Sequence, residues 1–436
     1  LMSAARLTLT LPNANGAVGK WTYSFWVKRS TYSSVYGEQV ITSPRYNGSF
    51  EGKIKFNSDD SFEVYDYRNS FLLQKKTNRL FRDTNAWYHF VVNNDSTVSS
   101  PETEIYVNGV KETSFATSNE YSQNDTNSFN NDYPNYIGDG GQANKYLDGC
   151  LAHFHFVSGT KYVASDFGEF DSNGVWKPKP SPSITYGNNG FFLKFDNSGN
   201  MGLDSSGNTN NWTTAGTIKQ IKDTPSNIHC VGNTLIKGTL SASTATNLNL
   251  TATSGQASWE TLFGTLAVNS GKWYAEFKTG ATGTQAGVID IQQAQVHDIY
   301  GGSQSRGWGY DSDGIIYNNA SNTGGTYASL TAGDVIGVAL DMDNHNVYFH
   351  KNGTYQNSGD PTSGASGTGA KSLTSGYDYT FFFGAYNGNM SANFGNGHFG
   401  TTDITSAGSN GNGSLFEYDV PTGYYALNTK NLKVHS

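Results

Sequence analysis

Charged residues are scarce in this sequence, making up 15% of its 436 residues against about 25% in an average soluble domain. What charge there is sums to −8. The densest basic spot is only Gln74-Lys75-Lys76, and a surface that reads phosphates needs a basic face. Nucleic acid is therefore not an expected partner. Cysteine is nearly absent, with Cys150 and Cys230 alone, whereas a disulfide-stapled secreted domain carries more. Cys150 precedes an apolar strand and reads as a buried thiol made in a reducing cytoplasm. No apolar run approaches the roughly 18 residues of a membrane helix, so no membrane insertion is expected. Leu1-Met2-Ser3-Ala4-Ala5-Arg6 lacks the charged-then-apolar order of a signal peptide. Strong helix formers are thin while Gly reaches 51, which argues against a helical protein.

What the chain has instead is rings: 27 Tyr, 25 Phe and 8 Trp, 14% of all residues. Disordered chains are poor in aromatics. Aromatics set among small turn residues describe an all-β protein with many short strands. Period-two alternation marks strands at 6–11 and 21–27, and shorter runs follow at 53–56, 87–92 and 104–107. Asn108-Gly109 then predicts a hairpin turn, because both residues must accept positive φ. The run 151–157 reads as a strand with Ala152, Phe154 and Phe156 opposite His153, His155 and Val157. Another strand is expected at 191–195.

The pattern breaks at 213–230, read as a linker or a shared edge, and resumes at 272–277, 287–291, 335–340 and 346–349. A second turn, Lys351-Asn352-Gly353, follows, with further strands at 379–385 and 391–394. A short helix is expected at 164–170. The organisation predicted is two tandem antiparallel β-sandwiches, 1–212 and 231–436, each with its own core. Trp26, Trp87, Tyr106, Trp273, Val338 and Phe349 sit at strand centres and are expected to be buried.

Trp21-Thr22-Tyr23-Ser24-Phe25-Trp26-Val27-Lys28-Arg29, Asn85-Ala86-Trp87-Tyr88-His89-Phe90, Ile105-Tyr106-Val107-Asn108-Gly109-Val110 and Asp148-Gly149-Cys150-Leu151-Ala152 together resemble a concanavalin-like (LamG-type) jelly roll. Ser270-Gly271-Lys272-Trp273-Tyr274-Ala275-Glu276, Gly307-Trp308-Gly309-Tyr310, Thr331-Ala332-Gly333-Asp334-Val335 and Phe349-His350-Lys351-Asn352-Gly353 resemble a SPRY domain. The segment between them, with Gly174-Val175-Trp176-Lys177-Pro178, Asn208-Thr209-Asn210-Asn211-Trp212 and Asp223-Thr224-Pro225-Ser226-Asn227, is similar to the bridge joining such domains in virion proteins of marine tailed phages.

That resemblance implies a non-enzymatic tail-fibre or head-fibre component that binds a host surface glycan or protein. It also implies a virion location after assembly in the host cytoplasm and other virion proteins as partners; members of that group usually have more sequence before the first strand, so a virion-attachment segment is expected to be missing from this sequence. A homo-oligomer, foremost a trimer, is the expected assembly. The rival readings are a decoration or scaffold protein without receptor binding and, more weakly, a polysaccharide-degrading enzyme.

Glycoside hydrolysis needs two carboxylates across the scissile bond. Glu102 with Glu104 and Glu169 with Asp171 are the nearest sets, and neither has a catalytic pattern; no catalytic residue is assigned. Loop carboxylates Asp59, Asp60, Asp139 and Asp148 could offer hard oxygens to calcium, although Asp is equally at home in a simple turn; no other cofactor is expected. His153 and His155 could begin a zinc site but lack a third ligand. Sugar recognition would use aromatic faces and side-chain amides. The candidates are Tyr46, Asn47, Tyr65, Tyr67 and Tyr133 in the first half. In the second they are Trp308, Tyr310, Asp311, Tyr317, Asn318, Asn319, Tyr386 and Asn387. The competing reading of each ring is a core or cross-strand pair.

Overall fold

The computed structural model describes residues 5–12, 19–31, 37–142, 145–234, 243–294 and 299–436. Residues 1–4 of the N-terminal stretch lie outside the described residues. The chain divides into two compact units, Leu1–Gln220 and Ile221–Ser436, both built almost wholly of antiparallel strands.

In the first unit one sheet has the order Phe115–Asn119, Phe71–Leu80, Ser61–Arg68, Phe50–Phe56, Gln39–Asn47, Pro134–Ile137, Arg6–Thr10, Thr213–Ala215. The facing sheet has the order Phe191–Leu193, Gly149–Ser158, Lys20–Arg29, Tyr88–Asp95, Glu104–Val107, Val110–Lys111. Alternation sends Phe25, Phe90 and Phe154 inward from one sheet to meet Ile54, Phe56, Phe62 and Val64 from the other. The Phe62 and Phe90 rings stack 4.1 Å apart. Burying each such side chain stabilises the fold by about 1.5–3 kcal/mol. Asn108 and Gly109 take φ of 48° and 83°, with Val107 opposite Val110. That is the two-residue hairpin their side chains favour.

The second unit is organised around Tyr379–Asn393. This one strand pairs with Thr284–Asp290, Lys272–Thr279 and Thr251–Phe263. From Lys272–Thr279 the sheet continues through Val335–Asp341 and Asn346–Lys351. From Thr284–Asp290 it continues through Gly307–Asp311, Ile316–Asn318 and Ser321–Asn322. The core gathers Trp273, Phe277, Val338, Phe349, Phe381 and Phe383. Asn352 and Gly353 repeat the left-handed pair at φ of 47° and 83°.

Several expectations need correction. The two strands expected at 379–385 and 391–394 are one, Tyr379–Asn393, because the left-handed Asn387 (φ 52°) interrupts the alternation without ending the strand. In Gly149–Ser158 the pairing slips between Ala152 and His155, with His153 at φ 47°. Leu151 and Phe154 both pack on the core, which an inserted residue permits and simple alternation forbids. Ala152 therefore does not share the face of Phe154, and His153 sits in the bulge.

The helix expected at 164–170 is only Ala164–Phe167, followed by the strand Gly168–Phe170. A C-terminal helix, Thr429–His435, carries no apolar signal but is capped by the Asn428 side chain. The stretch read as a linker or a shared edge contains the boundary between the units; within it Thr213–Ala215 is an edge strand paired with Arg6–Thr8, and the Cys230 N–H donates to the Leu427 carbonyl at 2.9 Å. Neither cysteine is in a disulfide; Cys230 is buried but Cys150 only half-buried. Trp26, Trp87, Trp273, Val338 and Phe349 are buried. Tyr106 is only half-buried, against Val91, Val157 and Phe167 on the outer side of its sheet.

Candidate functional site

In the second unit four rings run side by side. Trp259 of Thr251–Phe263 is the register partner of Tyr386, with ring centroids 6.0 Å apart. Trp259 also lies 5.5 Å from Tyr300, and Tyr300 lies 5.7 Å from Tyr317 in an edge-to-face arrangement. Trp259, Tyr300 and Tyr317 are half-buried, and Tyr386 is 41% exposed.

The backbone explains how residues so far apart in sequence meet. The pairing between Thr251–Phe263 and its neighbour slips between Ser254 and Trp259. The partner strand carries the left-handed Asn387 there, a conformation Asn tolerates better than most residues. The turn Gly301–Ser303 then presses Tyr300 against the sheet. A Cβ on Gly301 would sit 2.3 Å from the Phe382 ring, and one on Gly302 2.7 Å from Tyr317 Cβ. Only glycine admits that approach.

At one end of the row the Tyr317 hydroxyl donates to Asp313 at 3.2 Å. Burial, and then the Asp313 charge, push the Tyr317 phenol up to about 12. Burial, and then the same carboxylate, raise Asp311 to about 6. Both Asp311 oxygens are occupied: Gln285 donates to one at 3.3 Å, Ser312 and the Asp313 N–H to the other.

The second-unit candidates therefore separate. Tyr317 and Tyr386 join the row. Tyr317 is opposite Gly309, and Ile316 opposite Tyr310; opposed residues share a face, so Tyr310 points inward with Ile316. Tyr310 is a fully buried core residue whose hydroxyl donates to the Ala328 carbonyl, which corrects its reading as a surface contact. Trp308 packs against the same core, with the Lys371 ammonium 5.8 Å from its ring. Asn318 donates its amide to the Ser305 and Gly307 carbonyls, a positioning role. Asn319 and Asn387 are exposed. Trp259 and Tyr300 were not legible as site residues. One lies in a Ser/Thr/Gly-rich strand and the other in a loop with no periodic pattern.

In the first unit Tyr46 is 66% exposed and lies 5.5 Å from Tyr133. Arg68 sits 5.8 Å from the Tyr133 ring. Asn47 accepts from the Ser49 and Phe50 N–H groups, tying up its own hairpin. Tyr65 is buried, with its hydroxyl donating to Glu51, and is corrected as a surface contact. Tyr67 packs edge-on against Phe71.

The calcium candidates do not converge. Asp59 pairs with Lys76 at 2.7 Å, Asp60 with Arg29 and Arg82, and Asp139 with Arg6 at 2.8 Å. Asp148 accepts from Thr31. Among the described residues no three His, Cys, Asp or Glu side chains gather as a metal site.

One pair looks like a nucleophile and base: Ser24 Oγ lies 2.9 Å from His89 Nε2. Trp176 Nε1, which can only donate, points at His89 Nδ1 from 2.9 Å. The proton of the neutral ring is therefore on Nε2, facing Ser24, which is the wrong tautomer for taking one. Burial, and then His153, hold this imidazole down at about 3. Against the pull of burial, Lys111 and Lys161 hold Glu104 at about 2, too acidic for a general acid near neutrality.

The architecture places the chain in the class of tandem β-sandwich proteins. The family described as the concanavalin A-like lectin/glucanases superfamily matches residues 5–162, and the SPRY domain matches residues 272–385. The chain thus carries a concanavalin-like (LamG-type) domain followed by a SPRY domain. Among solved structures it is similar to the SPRY domain of human HERC1, at 21% identity over 35% of this chain and 91% of that one, with a TM-score of 0.27. It is also similar to the PSpry domain of TRIM65, at 11% identity over 37% of this chain and 87% of that one, with a TM-score of 0.29. No curated protein matches.

Proposed function

We propose that the chain is a non-catalytic recognition protein that binds surface glycans through the ring row Tyr386–Trp259–Tyr300–Tyr317. The observation that carries this reading is the row itself. A stable sandwich has no packing need to leave adjoining aromatics half-open to solvent, while ring faces flanked by polar side chains suit the apolar and hydroxylated sides of a sugar. The exposed Tyr46, beside the half-buried Tyr133, offers a second, smaller contact in the first unit. The Ser24–His89 tautomer and the ionised Glu104 favour binding over hydrolysis. The likeness of the 174–227 segment to bridges in marine phage virion proteins supports a place in a tail or head fibre.

A second reading, a decoration or scaffold protein, is favoured by one observation. Val110, Phe170 and Val175 are 64%, 58% and 50% exposed, as expected of surfaces packed on a neighbour. A glycan array probed with the full chain and with Trp259→Ala tests the primary reading. Retention by the parent, its loss in the variant, and no release of reducing sugar are expected. Equal retention by both would refute the row as the site.

A further inference from the structure

The row is selective in charge as well as shape. We propose that it takes uncharged polysaccharide and that Asp313 is the residue that turns anionic polymers away; this rests on the glycan-binding reading above. Three observations carry it.

First, the carboxylates at the row are not neutralised. Among the described residues neither Asp311 nor Asp313 has an ion-pair partner, and Asp313 is exposed. The charges that act most strongly on the Tyr317 phenol are those of Asp313 and then Asp311. Arg306, the nearest basic residue in sequence, is tied to Asp290 at 2.7 Å and covers Tyr377 at 4.1 Å. Lys371 lies on the other side of the sheet, beside Trp308 and Tyr327.

Second, the uncommitted polar groups at the two ends of the row are neutral. Asn319 lies two residues after Tyr317, and Asn387 directly follows Tyr386. Both are exposed and left-handed, and among the described residues neither side-chain amide has a hydrogen-bond partner. Primary amides donate and accept at once, which matches hydroxyls and offers a carboxylate or sulfate no positive charge to pair with.

Third, stacking platforms that bind anionic strands place the rings in a positively charged groove. Here the sign is reversed, so a charged polymer that used the rings would bring its own anions against Asp313.

Binding can be measured with the full chain by affinity electrophoresis and calorimetry. The probes are a neutral β-glucan, a mannan and a xylan, each beside its carboxymethylated or sulfated derivative. The parent is expected to prefer at least one neutral polymer over its own charged derivative by about tenfold at low salt. Its residual affinity for the charged form should rise with added salt, because screening removes repulsion. Asp313→Asn keeps a carbonyl oxygen for the Ile315 N–H, and its amide N–H can donate to the Tyr317 hydroxyl oxygen in place of the bond the hydroxyl now gives; it should narrow the neutral-to-charged ratio by several fold. A charged derivative bound more tightly than its neutral parent, with affinity falling in salt and lost in Trp259→Ala, would overturn this proposal while leaving glycan binding at the row intact. Binding of none of the six polymers would overturn both.

Discussion

Trp259 and Tyr386 sit directly opposite one another on adjacent antiparallel strands, with ring centroids 6.0 Å apart and planes inclined at 51°. The pairing slips immediately before Trp259, and the strand kinks immediately after Tyr386, at Asn387. The irregularity turns a cross-strand pair, which ordinarily only stabilises a sheet, into one with an open side. Tyr386 and Tyr310 are then residues of the same type with opposite jobs.

That contrast is testable by truncation. Tyr386→Ala should weaken glycan binding at least tenfold and shift the unfolding free energy by less than about 0.5 kcal/mol, as for exposed sites. Tyr310→Ala should cost about 3–5 kcal/mol, as for large core truncations. Urea unfolding and affinity electrophoresis on the same preparations separate the two. Matching stability losses would show that Tyr386 is a packing residue.

In the first unit Phe90 is fully buried and touches Phe25, Phe56, Phe62 and Phe81. Phe90→Ala should cost about 3–5 kcal/mol of that unit's stability. Residual stability close to the parent's in urea unfolding would mean the sheet register is wrong.

Glu276 gives a pH prediction. It is fully buried and accepts from the N–H groups of Glu417 and Tyr418 at 2.8 Å and from the Tyr274 hydroxyl at 3.0 Å. Burial raises it to about 7. A carboxyl raised on folding contributes stability that is present below its unfolded value, near 4.5, and lost as pH climbs through about 7. His350, held down to about 3 by burial, works in the opposite direction between about 3 and 6.5. The clean quantity is therefore the stability of the parent minus that of Glu276→Gln. It should fall by roughly 3 kcal/mol between pH 4.5 and 8. A difference that stays flat or rises would contradict the assignment.

Calcium should have little to do. The four loop aspartates are taken by Lys76, Arg29, Arg82, Arg6 and Thr31. Millimolar calcium or a chelator should leave the melting temperature within about 1 °C of its starting value, since only a ligand bound to the folded state raises it. A rise of several degrees in differential scanning calorimetry would show an occupied site.

The exposed Val110, Phe170 and Val175 favour a self-associating chain, and a trimer is the expected state. Light scattering should return three times the chain mass. A monomer at high concentration would contradict it.

Much of the fold was legible because it depends on local chemistry. Asn108-Gly109 and Asn352-Gly353 dictate their turns, and the alternation in 21–27 and 272–277 dictates a buried face. The site was half legible. Tyr317 and Tyr386 stood out as rings near turns. Trp308 and Tyr310 alternate with Gly307 and Gly309, so the four residues clearly present one aromatic and one bare face. Which of those faces meets the core depends on the partner strand, and that information is not local. Bulges hid the rest. The slip before Trp259, where five steps on one strand oppose two on its partner, and the one-residue bulge at the left-handed His153 both reverse side-chain parity, and inserted residues leave no mark on composition.

The most direct test of the ring row is the indole N–H resonance of Trp259 in an NMR titration with a neutral oligosaccharide that the chain retains. The Trp259 signal should move with saturating behaviour while that of Trp308, on the core side of its strand, stays in place. A titration in which Trp259 is unmoved while another indole responds would contradict the row as the binding site.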